Sequence, residues 1–162
     1  MKEINGKPAK MRVLKRRVAG RACSRGFPVY RFAPAVTEIQ MPSDAAHCSR
    51  LRRLVTRLAS ASLSPDAVDE MELAVGEALS NAVKYGGGPT IQIRVEAMPW
   101  REIIVELDYP GSSFDTRITR PTDLRNAVGG FGRFIMRTVT NGMQYTFQDG
   151  HTILRLTKRE EI

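Results

Sequence analysis

Between Ser64 and Met98 the spacing of apolar residues changes once, and that change constrains the architecture more than any other feature of the chain. Val68, Met71, Val75, Leu79 and Ala82 recur at three- and four-residue intervals, which gathers them on one face of a helix. Ser64 followed by Pro65 is a start signal, a cap before a first helical residue whose missing N–H costs nothing, and Asp66 complements the positive end of the helix dipole. The helix is expected to run to about Tyr85, where Gly86, Gly87 and Gly88 supply the left-handed conformation that often ends helices. Beyond the glycines the period drops to two: Ile91, Ile93, Val95 and Ala97 alternate with Gln92, Arg94 and Glu96. Ile103, Val105 and Leu107 repeat the pattern after a turn at Pro99, Trp100 and Arg101, so the two runs form an antiparallel hairpin. A long amphipathic helix followed at once by a half-buried hairpin points to a sheet with helices packed on one face.

The remaining segments fit the same plan. Residues 36–41 (VTEIQM) alternate as a strand that Pro42 ends; Ser43 is the expected N-cap of a helix reaching about Ala61, with Leu51, Leu54, Val55 and Leu58 as its buried stripe. Near the end, MQYTFQ, the turn pair Asp149 and Gly150, and HTILRLTK predict a second hairpin. Before it, Phe131, Phe134, Ile135 and Val139 give a short amphipathic helix. The predicted fold class is α+β: a two-layer α/β sandwich with a mostly antiparallel sheet and helices on one face.

Charge divides the chain unevenly. Residues 1–28 hold nine Lys or Arg against the single acid Glu3, which accounts for the whole net charge of +8; from Val29 onward 16 basic and 16 acidic residues cancel. The expectation is a basic, disordered arm over 1–28 and one folded domain over 29–162, because the arm has too few apolar residues to offset its ordering entropy. Direct nucleic-acid binding by the arm stays open on charge alone. No apolar run approaches the length of a membrane span, and Val13 to Phe32 is too interrupted for a secretory signal, so no membrane association and a cytoplasmic location are expected. Cys23 and Cys48 lack CxxC spacing and read as reduced thiols.

Several chemistries have no support: there is no Walker phosphate loop, no strand-linked GxGxxG, no nucleophile signature around His47 or His151, and no metal-centre spacing. Glu77 and Asn81 stand one turn apart on the helix face opposite the apolar stripe, a carboxylate beside an amide, which suits a proton acceptor and an oxygen donor to a hard cation. A polar stretch from Tyr109 to Val128 is long enough to be a lid or binding loop, and it runs into GGFG at the head of the short helix. Glycines there let backbone amides approach an anionic ligand.

This ordered set resembles the GHKL ATPase superfamily and, more narrowly, the bacterial anti-sigma-factor serine/threonine-protein kinases of partner-switching pathways. ELAVGEALSNAVKYG is similar to that family's N box, GGFGRFIMRTVTNGMQY to its last nucleotide motif, and QDGHTILRLTKR to its closing hairpin. The resemblance implies ATP and Mg2+ as ligands, Glu77 as the catalytic base, and Asn81 as the Mg2+-coordinating residue. It also implies that Gly130, Phe131 and Gly132 close on the phosphates and that Lys84, two turns beyond Glu77, adds charge. Its partners would be a STAS-domain anti-sigma antagonist and a sigma factor or analogous regulator, with homodimerisation open. The adenine motif departs from the family: in DYPGSSFD, aligning Gly111, Phe114 and Asp115 without a gap puts Tyr109 at the adenine-reading position, whereas aligning Asp108 needs one extra residue. Asp108 is the better acceptor for an exocyclic amine and is the expected reader. The departure also keeps a second reading, a non-catalytic partner-switching module that binds nucleotide weakly or not at all.

Overall fold

The computed structural model describes residues 10–18, 34–114 and 131–160. Among them the order of elements is β1 (Arg12–Val18), β2 (Ala35–Pro42), α1 (Ala45–Ala59), α2 (Pro65–Tyr85), β3 (Thr90–Met98), β4 (Glu102–Pro110), α3 (Phe131–Val139), β5 (Gly142–Gln148) and β6 (His151–Arg159). Three helices and a six-stranded sheet make the α+β arrangement expected. The strand order is β1-β2-β3-β4-β6-β5 and every neighbouring pair is antiparallel.

Alternation along the strands separates the two faces of the sheet. Ile39 and Met41, Ile91, Ile93 and Val95, Ile103, Val105 and Leu107, and Leu154 and Leu156 are all buried on one face. The helices cover that face: Leu51, Val55 and Ala59 of α1 and the whole stripe predicted for α2, Val68, Met71, Val75, Leu79 and Ala82, are buried there. Each large side chain so buried contributes roughly 1.5–3 kcal/mol. The other face carries cross-strand charges, with Arg155 on Glu106 and Arg159 on Glu102, both at 3.2 Å. Lys158 is the exception, buried on the helix side with its ammonium on the Glu70 carboxylate of α2. No helix among the described residues is long and apolar enough to cross a membrane.

Four local expectations are corrected. The N-cap of α1 is Asp44 and not Ser43; its carboxylate accepts from the His47 N–H at 3.1 Å and from the His47 ring, which holds its carboxyl below the usual range. The end of α2 uses no left-handed glycine, since Gly86 is extended at φ −73° and ψ 138°. Its lack of a side chain serves close approach instead: a Cβ there would overlap the Ala82 carbonyl oxygen and lie 3.2 Å from the Tyr109 ring. In α3 the buried residue is Met136, while Phe131 is 48% exposed. Finally, the disordered arm expected over residues 1–28 fails at Arg12–Val18, which pair with β2 as the sheet's edge. An edge strand is held by the backbone ladder, and needs no apolar period; Val13 and Leu14 are each 54% exposed, and a register shift falls between Val13 and Lys15. The basic side chains on such an edge discourage further strand addition.

Candidate nucleotide site

With its apolar stripe pinned to the sheet, the second half of α2 brings the Asn81 amide into the lining of a cavity and sets the Glu77 carboxylate against Gly132 of the same lining. Glu77 and Asn81 are half-buried on the opposite side of the helix. Over them sits the first turn of α3, close enough that a Cβ added to Gly132 would lie 2.5 Å from Glu77 Oε2 and 3.5 Å from Asn81 Nδ2. Only glycine permits this approach without displacing the carboxylate, and it presents the first turn of α3, with the positive end of its dipole, to the same place. Gly132 is thus the residue of the glycine motif that approaches Glu77 and Asn81. Gly130, Asp115 and most of the expected lid, residues 115–130, lie outside the described residues.

Asn81 and Gly132 line a cavity of about 520 Å3, a volume suited to a small organic ligand. Tyr85, Tyr109, Gly111, Ser112, Phe114, Arg133, Tyr145 and Thr152 complete its described lining. Part of the lining is aromatic. Phe114 meets Tyr145 edge-on at 5.0 Å and Phe147 at 5.1 Å, and the Arg133 guanidinium lies 5.5 Å over the Phe114 ring. Burial pushes the Tyr109 hydroxyl up, and it pushes that of Tyr145 up to about 12, with Tyr109 nearby adding to the shift and Arg133 opposing it. Both phenols are neutral near pH 7 and can donate or accept a hydrogen bond.

Asp108 is not in this cavity. The β4–β6 register runs unbroken from Glu102 opposite Arg159 to Pro110 opposite His151, so no extra residue intervenes and strict alternation applies. Leu107 and Tyr109 face the helices, and Asp108 faces away, its carboxylate 2.6 Å from His151 Nδ1. Of the two alignments of DYPGSSFD, the ungapped one matches the geometry: Tyr109 and Gly111 line the cavity. Lys84 is also outside the lining; it is exposed, with its ammonium 5.0 Å over the Tyr85 ring, which does line it. Phe131 stays at the exposed start of α3.

Tyr85, Phe114, Tyr145 and Thr152 were not singled out as ligand-contacting residues from sequence. Thr152 is recognisable afterwards as an inward strand position next to the Asp-Gly turn, where a hydroxyl interrupts the apolar run. A second, more open groove of about 440 Å3 lies between α1 and α2, lined by Arg52, Asp69, Glu72, Leu73, Gly76 and Glu77. Thr56 Oγ1 donates to Glu72 at 2.9 Å and Arg52 lies 3.6 Å from the same carboxylate, tying the two helices along that groove.

The chain is similar to known kinases. Serine-protein kinase RsbW of Listeria monocytogenes serovar 1/2a is 26% identical over 129 residues, covering 72% of this chain and 82% of that protein. Serine-protein kinase RsbW of Listeria innocua serovar 6a is 25% identical over 130 residues, with 72% and 82% covered. The solved histidine kinase domain of the blue-light activated histidine kinase of Erythrobacter litoralis EL346 aligns at a TM-score of 0.45 and 17% identity, over 73% of this chain and 61% of that one. A family model, the histidine kinase-like ATPase domain, matches residues 41–158, from the end of β2 into β6 and so across both the helix that carries Glu77 and Asn81 and the described lining of the cavity. The chain belongs to the histidine kinase-like ATPase domain family.

Proposed function

We propose that the protein is an ATP-dependent serine/threonine-protein kinase of the anti-sigma type, which sequesters a sigma factor or similar regulator and phosphorylates a STAS-domain antagonist. The observation that carries the reading is the seat of Gly132 on Glu77 and Asn81 beside a cavity of about 520 Å3. The similarity to proteins named serine-protein kinase supports the acceptor class.

In this reading the roles follow from donor chemistry. Asn81 supplies an amide oxygen to Mg2+, and the N-terminus of α3 receives the phosphates. No cluster of three or more His, Cys, Asp or Glu that could hold a metal occurs among the described residues. That donor set fits Mg2+, which typically takes one or two protein oxygens and fills its other positions with water and substrate phosphates. When bound, Mg2+ neutralises charge on the phosphates. Glu77 lines the groove between α1 and α2 and its carboxylate lies against Gly132 of the cavity lining, so in this reading an acceptor hydroxyl entering by the groove meets the carboxylate on its way to the γ-phosphorus. The acceptor oxygen bonds to phosphorus as the bond to the ADP oxygen breaks, and its proton passes to Glu77. Rate enhancement rests mainly on positioning.

The test is incubation of the intact protein with γ-labelled Mg-ATP and the STAS-domain proteins of the same organism. Label on a serine or threonine of one of them is the expected result; no transfer to any of them sinks the kinase assignment. The position of Asp108 on the far face favours a second reading, a partner-switching module without nucleotide chemistry. Calorimetry separates the two, since the kinase binds Mg-ATP in the micromolar range and the module shows no binding at millimolar nucleotide. For the kinase, Asp108→Asn is expected to leave Mg-ATP affinity within about twofold, as for a surface change remote from a ligand; a tenfold loss by calorimetry would return Asp108 to the site.

A further inference from the structure

β1 precedes the residues that the family model matches and contributes nothing to the described lining of the cavity. Its charges also differ from those of the rest of the sheet. Every lysine and arginine on the inner strands meets a carboxylate: Arg94 that of Glu96, Arg155 that of Glu106, Arg159 that of Glu102, and Lys158 that of Glu70. On the edge, Arg12, Lys15 and Arg16 are exposed and enter none of the ion pairs among the described residues, although Lys15 stands opposite Glu38 in the ladder. They occupy both faces of the strand. Val13 and Arg16 stand opposite Ile39 and Thr37, on the side of the helices, while Arg12 and Lys15 stand opposite Gln40 and Glu38, on the other. Val13 and Leu14, each 54% exposed, add apolar surface between these cations.

An edge strand also leaves alternate backbone N–H and C=O groups unpaired on its outer side, and among the described residues β1 pairs with β2 alone. An open ladder takes an extended segment through main-chain hydrogen bonds, which give affinity, while side chains decide which segment is taken. Positive charge repels a second copy of β1 or any basic strand, and it attracts an acidic one. The chain's own start does not supply that strand, since residues 1–33 contain one acid, Glu3. A nucleic acid satisfies the charges but gains nothing from an open backbone ladder, and RVLKRRV has no aromatic ring for a base to stack on. The register shift between Val13 and Lys15 divides the edge into two runs, so the segment that fits is short.

We propose that β1 is a docking edge for a short, extended, acidic segment of a partner protein, which adds to the sheet as a further strand.

The test titrates the full chain against four fluorescently labelled ligands, with anisotropy as the readout. They are a short acetylated peptide of glutamate and valine, its counterpart of lysine and valine, the acidic peptide N-methylated at every amide, and a single-stranded oligonucleotide of the same charge. The acidic peptide is expected to bind at least about tenfold more tightly than each of the others, a step worth roughly one or two net hydrogen bonds. N-methylation keeps the charge and removes the backbone donors, so it separates strand addition from charge attraction on the unaltered protein. Arg12→Glu combined with Arg16→Glu, which places no like charge opposite Glu38, is expected to reverse the order of the acidic and basic peptides. No binding of the acidic peptide at millimolar concentration overturns the proposal, as does equal binding of its N-methylated form. Tighter binding of the oligonucleotide overturns it in favour of a nucleic-acid surface. A double variant with an unchanged circular dichroism spectrum that keeps the original preference moves the binding away from β1 and overturns it as well.

Discussion

Glu77→Gln is expected to bind Mg-ATP within about threefold of the unaltered protein while losing phosphotransfer by a factor of at least about a hundred, the usual contribution of a positioned general base. The two side chains have the same size and reach, and an amide still hydrogen-bonds to an incoming hydroxyl. What it cannot do is take the proton. The geometry makes the separation clean, because Asn81, one turn further along α2, lines the cavity, whereas Glu77 lines the groove between α1 and α2. Filter binding of labelled nucleotide and transfer to the acceptor protein, measured on the same preparation, give both numbers. Loss of binding in parallel with transfer would assign Glu77 to holding the nucleotide, and unchanged transfer would remove it from the chemistry.

The helix that carries Glu77 was legible because its evidence is long and redundant. Five apolar positions, a proline at its start and three glycines after it all agree, and all five positions are buried. The two hairpins were legible for the same reason, and the second ends in a turn whose residues, Asp149 at φ 52° and Gly150 at φ 77°, adopt the conformation that the pair Asp-Gly favours. Asp108 was misread because a side chain's face at a strand end depends on register. A one-residue uncertainty in register moves a residue from one face of the sheet to the other, and it is the β4–β6 ladder that removes it. β1 was hidden for a different reason: it is joined to the sheet through backbone groups, which every residue has, while its arginines and lysines carry the composition of a solvated tail. The lining of the cavity draws on α2, β4, the residues just beyond it, α3, β5 and β6, and side chains so distant in sequence leave no local pattern.

Gly132→Ala is expected to lower phosphotransfer by about a hundredfold with little loss of stability, since displacement of a catalytic group by about an ångström costs that much in rate. The added methyl would stand 2.5 Å from Glu77 Oε2, the free end of a flexible side chain, which can swing aside and so lose its position without disturbing the backbone. Gly86→Ala is the matched control. Its methyl would meet the carbonyl oxygen of Ala82, part of the α2 backbone, which cannot swing aside, and the Tyr109 ring at 3.2 Å. That change is expected to cost roughly 1–3 kcal/mol in urea unfolding, the range for overpacking at a crowded site. The two variants thus put the same methyl group against a functional carboxylate in one case and against the scaffold in the other. An unaltered transfer rate in Gly132→Ala would mean that α3 does not bear on Glu77 during turnover, and the nucleotide site would have to close in some other way.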